Sequence, residues 1–327
     1  MKNEKKSSSS INNNIFSSLL LLVSISIAIL IGEGFLRLKN LDMKNYDIEM
    51  WKYSKQLKRP SENIIFGHEH IKNSKAKLQS VEIKINNYGL RGSEINQLTK
   101  LNRIIFLGSS ITLGWGVEEE KTLTSRLESM LNKEKIKYEV INGGIGNYNT
   151  LRYVELFTNN LSSLKPDSIV VQYFVNDAEI LPQGGGNWLL RNSQLAVTLM
   201  IAFNRILHPG DENSLLRHYQ KIYEQDSEGY EEMKKSLEKI SQYAHRNKIK
   251  IFLVMTPDVH NLIDYPFGFI HEKMKNLSSD LDIEFLDLLP YFEGIPQEEI
   301  WAMPGDPHPN SIGHEIMAKA IFENLNF

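Results

Sequence analysis

Apolar residues follow three rhythms along this chain. Near the N-terminus, 15–31 is an uncharged run, apolar all round. At 80–86 polar and apolar residues alternate, the period-two mark of a half-buried strand. From Asn102 onward, short apolar segments take turns with longer ones of helical period. Strands are expected at 104–107, 138–141, 168–174, 250–255 and 283–286. Helices are expected at 123–132, 151–164, 190–207, 228–247, 267–279 and 310–324; the apolar 190–207 stretch could line a pocket, pack as core or touch the membrane, with core packing preferred. The continuous apolar run 168–174 suits a strand buried on both faces. Strands alternating with helices predict an α/β domain whose parallel sheet is covered on both sides.

As a helix, the first apolar run is about 26 Å long, at the short end for crossing a bilayer. Phe35 and Leu36 extend it, with Glu33 at the interface. A cleaved signal peptide is the rival reading, but no Ala-x-Ala cleavage site follows the run. The expected organisation is a cytoplasmic tail (1–14), a transmembrane anchor (15–36), a stalk and N-terminal strand segment (37–100), and the α/β domain (101–327). The polar, lysine-rich 42–75 reads as the stalk. Lys2, Lys5 and Lys6 before the run face Arg37, Lys39 and Lys44 after it. This slight bias favours a large domain outside the cytoplasm, periplasmic or at the cell surface.

Composition adds mainly exclusions. A net charge of −3 gives no reason to expect a nucleic-acid partner. The absence of cysteine removes disulfides, thiolate catalysis, cysteine-rich zinc sites and a lipidated N-terminal cysteine.

Candidate chemistry lies where strands end. The strand at 104–107 runs into Gly108-Ser109-Ser110, which either caps a helix or presents a nucleophile. Without a Lys-Ser/Thr pair or G-x-G-x-x-G, it is not a phosphate loop, and Thr112 prevents a G-x-S-x-G elbow. Asn142-Gly143-Gly144-Ile145-Gly146-Asn147 turns the chain, or offers backbone N–H groups to an oxyanion. Asn176-Asp177 either caps a helix or aims an amide at the same charge. Asp306 and His308 set an acid two positions before an imidazole, as a serine's base and its orienting partner require. A metal reading of His308, His314 and Glu315 lacks an evident third ligand. Asp258 and His260 repeat the Asp-x-His spacing at another strand end. Ligands of parallel α/β sheets bind at those carboxyl ends, where Ser110, Asn147 and Asn176 all fall.

Together these stations resemble the SGNH (GDSL-like) hydrolase superfamily, from Arg103 to the C-terminus. The resemblance implies a flavodoxin-like three-layer α/β/α sandwich around a central parallel sheet, here preceded by one transmembrane helix. It implies Ser110 as nucleophile, His308 as base and Asp306 as its partner. The oxyanion hole would combine the N–H groups of Ser110 and Asn147, with Gly146 just before it, and the Asn176 amide. Ser109 stands where the family usually has Asp, and Phe174 where it has Gly. The acid precedes His308 by two residues rather than the more usual three. No metal or organic cofactor is implied. The expected substrate is an ester of a carbohydrate or lipid. Hydrolysis, acyl transfer to a sugar hydroxyl and non-catalytic binding on the same scaffold all fit these residues. The anchor and Tyr88-Gly89-Leu90-Arg91-Gly92 resemble membrane-tethered bacterial members.

Overall fold

A computed structural model describes residues 4–40, 46–95, 101–133, 136–182, 187–207, 214–304 and 308–327. In chain order it begins with α1 (Glu4–Lys39), α2 (Tyr46–Gln56), β1 (Lys58–Pro60), β2 (His68–His70), β3 (Ser74–Leu78) and β4 (Val81–Ile85). There follow β5 (Asn102–Gly108), α3 (Ser110–Leu113), α4 (Leu123–Leu131), β6 (Tyr138–Gly144), α5 (Thr150–Leu156) and β7 (Ser168–Tyr173). Next come α6 (Trp188–Asn192), α7 (Gln194–Leu207), α8 (Ser214–Ile222) and α9 (Glu228–Asn247). Last are β8 (Lys250–Met255), α10 (Gly268–Asp280), β9 (Glu284–Asp287) and α11 (Ser311–Asn324). The chain divides into two units, Met1–Trp51 with Gly186–Gly210, and Lys52–Gly185 with Asp211–Phe327.

The larger unit is built on a five-stranded parallel sheet in the order β6-β5-β7-β8-β9. Counted among themselves the strands run 2-1-3-4-5, the flavodoxin-like order. Every residue of β7 is buried, as its unbroken apolar run predicts. Helices flank the sheet, so the expected three-layer sandwich is the observed one. The helix expected at 151–164 is α5, loosening into a π-turn at Phe157–Leu161 and tightening to 3-10 at Ser162–Leu164.

The segment read as a stalk is partly folded. β1 pairs with β2, and β3 with β4, in antiparallel ribbons. Tyr53, Leu57 and Phe66 are buried. Arg91 bridges Ile85 on one side and Asn142 of β6 on the other, which ties the second ribbon to the edge of the sheet. Its side chain, 3% exposed, donates to the carbonyls of Leu113, Gly114 and Val117 at 2.9, 2.7 and 2.6 Å. Burial lowers this guanidinium to about 10.

In the smaller unit, α1 carries an apolar stretch, Ile15–Lys39, long enough to cross a membrane and exposed from Ile15 to Ile31. The expected 190–207 core helix is instead two helices broken at Ser193, whose Oγ accepts the Ala196 N–H at 3.0 Å and so caps α7. Nor is α7 core. Leu199, Phe203 and Ile206 are exposed, because the apolar residues outnumber the protein surface offered to them.

The strand ends pack at backbone distance. A Cβ on Gly144 would lie 2.2 Å from the Leu113 nitrogen in α3. One on Gly268, at the start of α10, would meet nothing within 4 Å. Gly144→Ala is therefore expected to lose about 3 kcal/mol or more of stability by overpacking. Gly268→Ala should match or slightly exceed the parent. Denaturant midpoints of the two variants check this contrast.

Candidate functional site

Ser110 sits where β5 gives way to α3. Gly108 makes the turn possible, since a Cβ there would fall 2.0 Å from Thr112 Oγ1 and 2.9 Å from the Gln172 carbonyl. Ser109, at the cap position of α3, makes no side-chain cap bond. The capping alternative therefore does not account for this serine pair. Ser110 is half-buried, and its Oγ lies 2.7 Å from His308 Nε2, across 198 positions of sequence. His308 is buried beside Trp115, the ring centroids 6.5 Å apart. Its strand-like segment is held by the Ala302 N–H on the His308 carbonyl and by pairing of Trp301 with Pro309. Asp306, the expected orienting acid, lies outside the described residues.

The turn after β6 packs on α3 through Gly144. Asn142 bonds the Thr112 carbonyl at 2.7 Å and accepts the Gly144 N–H at 3.0 Å. Asn147 adopts φ 62°, a left-handed conformation that asparagine tolerates. Gly146, named beside Asn147 for the oxyanion hole, has both its N–H and its carbonyl engaged in the fold. Its N–H donates to Tyr53 Oη at 3.0 Å, and its carbonyl accepts from Lys58 Nζ at 2.7 Å and His68 Nε2 at 2.9 Å. The Asn147 N–H has no acceptor among the described residues.

Asn176 and Asp177 divide the work of their turn. Asp177, fully buried, accepts the Phe174 N–H at 3.0 Å, and its carbonyl accepts from the Thr150 N–H and hydroxyl. Burial pushes its carboxyl well above the usual carboxylate range. Asn176 caps nothing, and its buried amide oxygen has no partner among the described residues. A buried polar atom left unpaired costs stability, and only the amide nitrogen of Asn176 can donate to an anion.

The two competing motifs are used otherwise. His314 Nδ1 accepts the Leu123 N–H at 2.9 Å, so it serves as a cap for α4 rather than facing His308 as a ligand. His260 donates through Nδ1 to buried Asp258 at 2.8 Å, with the Val259 carbonyl taking the Trp301 indole N–H. Chemically, a hydroxyl on an imidazole beside free N–H donors can form and stabilise a tetrahedral adduct. Tyr53, Lys58, His68 and His70 were not singled out by sequence reasoning. The signal available was the His68-Glu69-His70 alternation inside a stretch otherwise read as linker.

The model of the GDSL-like Lipase/Acylhydrolase family matches residues 106–316. No curated protein matches the sequence. Solved structures with a similar fold include TesA, at 14% identity and TM-score 0.45 over 68% of this chain and 96% of that one. The acetyl xylan esterase AlAXEase has 20% identity and TM-score 0.43 over 68% of this chain and all of its own. The psychrotrophic esterase EstA from Pseudoalteromonas sp. has 12% identity and TM-score 0.41, covering 68% and 95%.

The raised carboxyl at Asp177 sets a pH dependence. Above its ordinary value near 3.8 the unfolded chain releases this proton while the folded chain keeps it, so stability falls as pH rises. Asp177→Asn keeps an acceptor for the Phe174 N–H without that penalty. Its urea midpoint relative to the parent should rise steadily from pH 4 to pH 8. A constant difference would show that Asp177 is ionised in the fold.

Proposed function

Because the chain belongs to the GDSL-like lipase/acylhydrolase family, whose members cleave esters, we propose that it is a membrane-anchored serine esterase centred on Ser110 and His308. The observation that carries this reading is the 2.7 Å contact between Ser110 Oγ and His308 Nε2. In the first step the Ser110 oxygen attacks the ester carbonyl while its proton passes to Nε2. The carbonyl oxygen becomes an oxyanion among the Ser110 and Asn147 N–H groups and the Asn176 amide. Loss of one such donor typically costs about 2.7–4 kcal/mol of transition-state stabilisation. Collapse expels the alcohol, which takes the proton back from His308. Water then attacks the acyl-serine, giving a proton to the same nitrogen; this adduct collapses by breaking the acyl–Oγ bond, His308 returns the proton to Ser110 Oγ, and the acid leaves. Asp306, two residues before the imidazole, is assigned to hold the histidine's tautomer.

The anchor is α1, exposed and of spanning length, with the catalytic domain outside the cytoplasm. A tethered esterase works on what reaches the membrane surface, which favours an O-acylated carbohydrate or lipid as substrate.

The test uses the full chain in detergent. A fluorophosphonate probe should label Ser110, and Ser110→Ala should abolish both labelling and turnover of a short-chain acyl ester, a fall of about 10⁴-fold or more. Its thermal midpoint should stay that of the parent. Turnover by Ser110→Ala, or a folded parent that does not label, rejects the assignment.

A further inference from the structure

The turn that carries the Asn147 N–H is gripped by a group of buried side chains from the segment before β5. Hydrogen-bond direction can be assigned through the whole group. The Gly89 carbonyl can only accept, so His70 Nδ1 donates to it at 2.8 Å, leaving Nε2 of the neutral ring as an acceptor. Tyr53 therefore donates its hydroxyl to His70 Nε2 at 2.6 Å, and its oxygen takes the Gly146 N–H. Burial keeps His70 neutral, pushing it down to about 3. On the other side of the residue, the Gly146 carbonyl accepts from both Lys58 and His68. That carbonyl and the Asn147 N–H belong to one peptide group.

A peptide is a resonance hybrid, so donors on its oxygen draw electron density from nitrogen and strengthen the N–H as a donor. We propose that Lys58 and His68, with Tyr53 fixing the neighbouring N–H, form a clamp that positions and polarises the Gly146–Asn147 peptide toward the reaction's oxyanion. The proposal rests on the reading of Asn147 as an oxyanion donor. Lys58 is 6% exposed and has no carboxylate partner among the described residues, an expensive placement for an amine without a task. Burial, with Arg152 nearby, lowers it to about 7, and either protonation state keeps an N–H for Gly146. Side chains larger than glycine are excluded at 146, where a Cβ would lie 2.7 Å from the Tyr53 ring. These groups act through the peptide and are positioning residues, not catalytic ones.

Lys58→Met and His68→Leu should each lower kcat at least tenfold while KM stays within about twofold. Affinity for an alkylboronic acid, which becomes tetrahedral on Ser110, should fall by the same factor as kcat. His68→Gln, which keeps an N–H at that place, should recover most of the loss seen in His68→Leu. Parent-like kcat in folded Lys58→Met and His68→Leu overturns the clamp, as does a loss confined to KM. If Lys58→Met does not fold, the His68→Leu and His68→Gln pair decides alone. Fluorophosphonate labelling of Ser110 in the parent separates the two failures. A labelled serine with indifferent Lys58 and His68 variants rejects only the clamp, whereas an unlabelled one rejects the esterase reading.

A different observation, in the smaller unit, carries a second proposal. The Glu33 carboxylate near the end of α1 accepts from Ser193 Oγ and the N–H groups of Gln194 and Leu195, at 2.9, 3.1 and 2.9 Å. Arg37 donates to the Asn192 carbonyl at 2.9 Å. The start of α7 is thereby tied to the end of the apolar helix. From there Leu199, Met200, Phe203, Ile206 and Leu207 are 40–77% exposed on a helix about 21 Å long, too short to span. We infer that α7 lies in the lipid interface beside α1, its apolar side chains in the acyl region of the same bilayer. This rests on α1 being the membrane anchor, which fixes where the tied end of α7 must be.

The chain has no cysteine, so single introduced thiols can be read cleanly. Bimane placed by Phe203→Cys, Ile25→Cys and Glu323→Cys is compared in the full chain in phosphatidylcholine vesicles. Doxyl-labelled lipid should quench positions 203 and 25, and iodide should quench position 323. Iodide reaching 203 as freely as 323 while 25 stays lipid-quenched overturns the α7 placement alone. Iodide reaching 25 as well overturns the anchor. Position 203 shielded from both quenchers and cross-linking between chains means that a second copy covers α7, which also overturns the placement.

Discussion

Backbone meets backbone at the carboxyl edge of the sheet, and glycine alone permits it. Gly108 lies under Thr112 and against the Gln172 carbonyl, while Gly143 and Gly144 lie against the Phe106 carbonyl and the Leu113 nitrogen. Three chain segments therefore touch without side chains between them. Their relative positions are set by covalent geometry and van der Waals radii, which yield far less than side-chain packing does. The turns that carry Ser110 and Asn147 inherit that stiffness, as the proposed esterase chemistry requires of groups that must stay in register before a substrate arrives.

The second constraint is dryness. Beside the turn after β6 the protein buries a lysine, a histidine and a tyrosine and half-buries a second histidine, and desolvation holds both rings neutral, His68 down to about 2. Neutral rings have fixed donor and acceptor nitrogens, so the bonds among them have one direction only. A charged or water-filled cluster would allow several arrangements. This one allows a single arrangement, and it ends on the Gly146 peptide.

Much of the fold was legible because parallel sheets leave strong marks. The run at β7 and the in-phase Met233, Leu237 and Ile240 of α9 carry period and burial together. Ser110 and His308 were legible as residue types at strand ends, and the structure brings them together. Spacing put the oxyanion donor at Asn147 with Gly146 beside it, and could not tell which of the two adjacent N–H groups the fold already engages. The reading of 42–75 as a stalk followed from its polarity. Lys58 and His70 are buried and His68 half-buried, though all three are polar by composition, and period-based reasoning has no term for that. The 190–207 stretch failed in the opposite sense. Its apolarity was taken to mean protein core, although α7 is largely uncovered.

The pairing of Arg91 with Asn142 has a consequence for crowding. β6 ends the parallel sheet, and an open strand there would offer unpaired amides to another molecule. Arg91 occupies part of that margin, and β9 at the opposite margin is only four residues long. Molecules gathered at high density on one surface thus present little strand for mutual pairing, and the sheet is protected from becoming the seed of an aggregate.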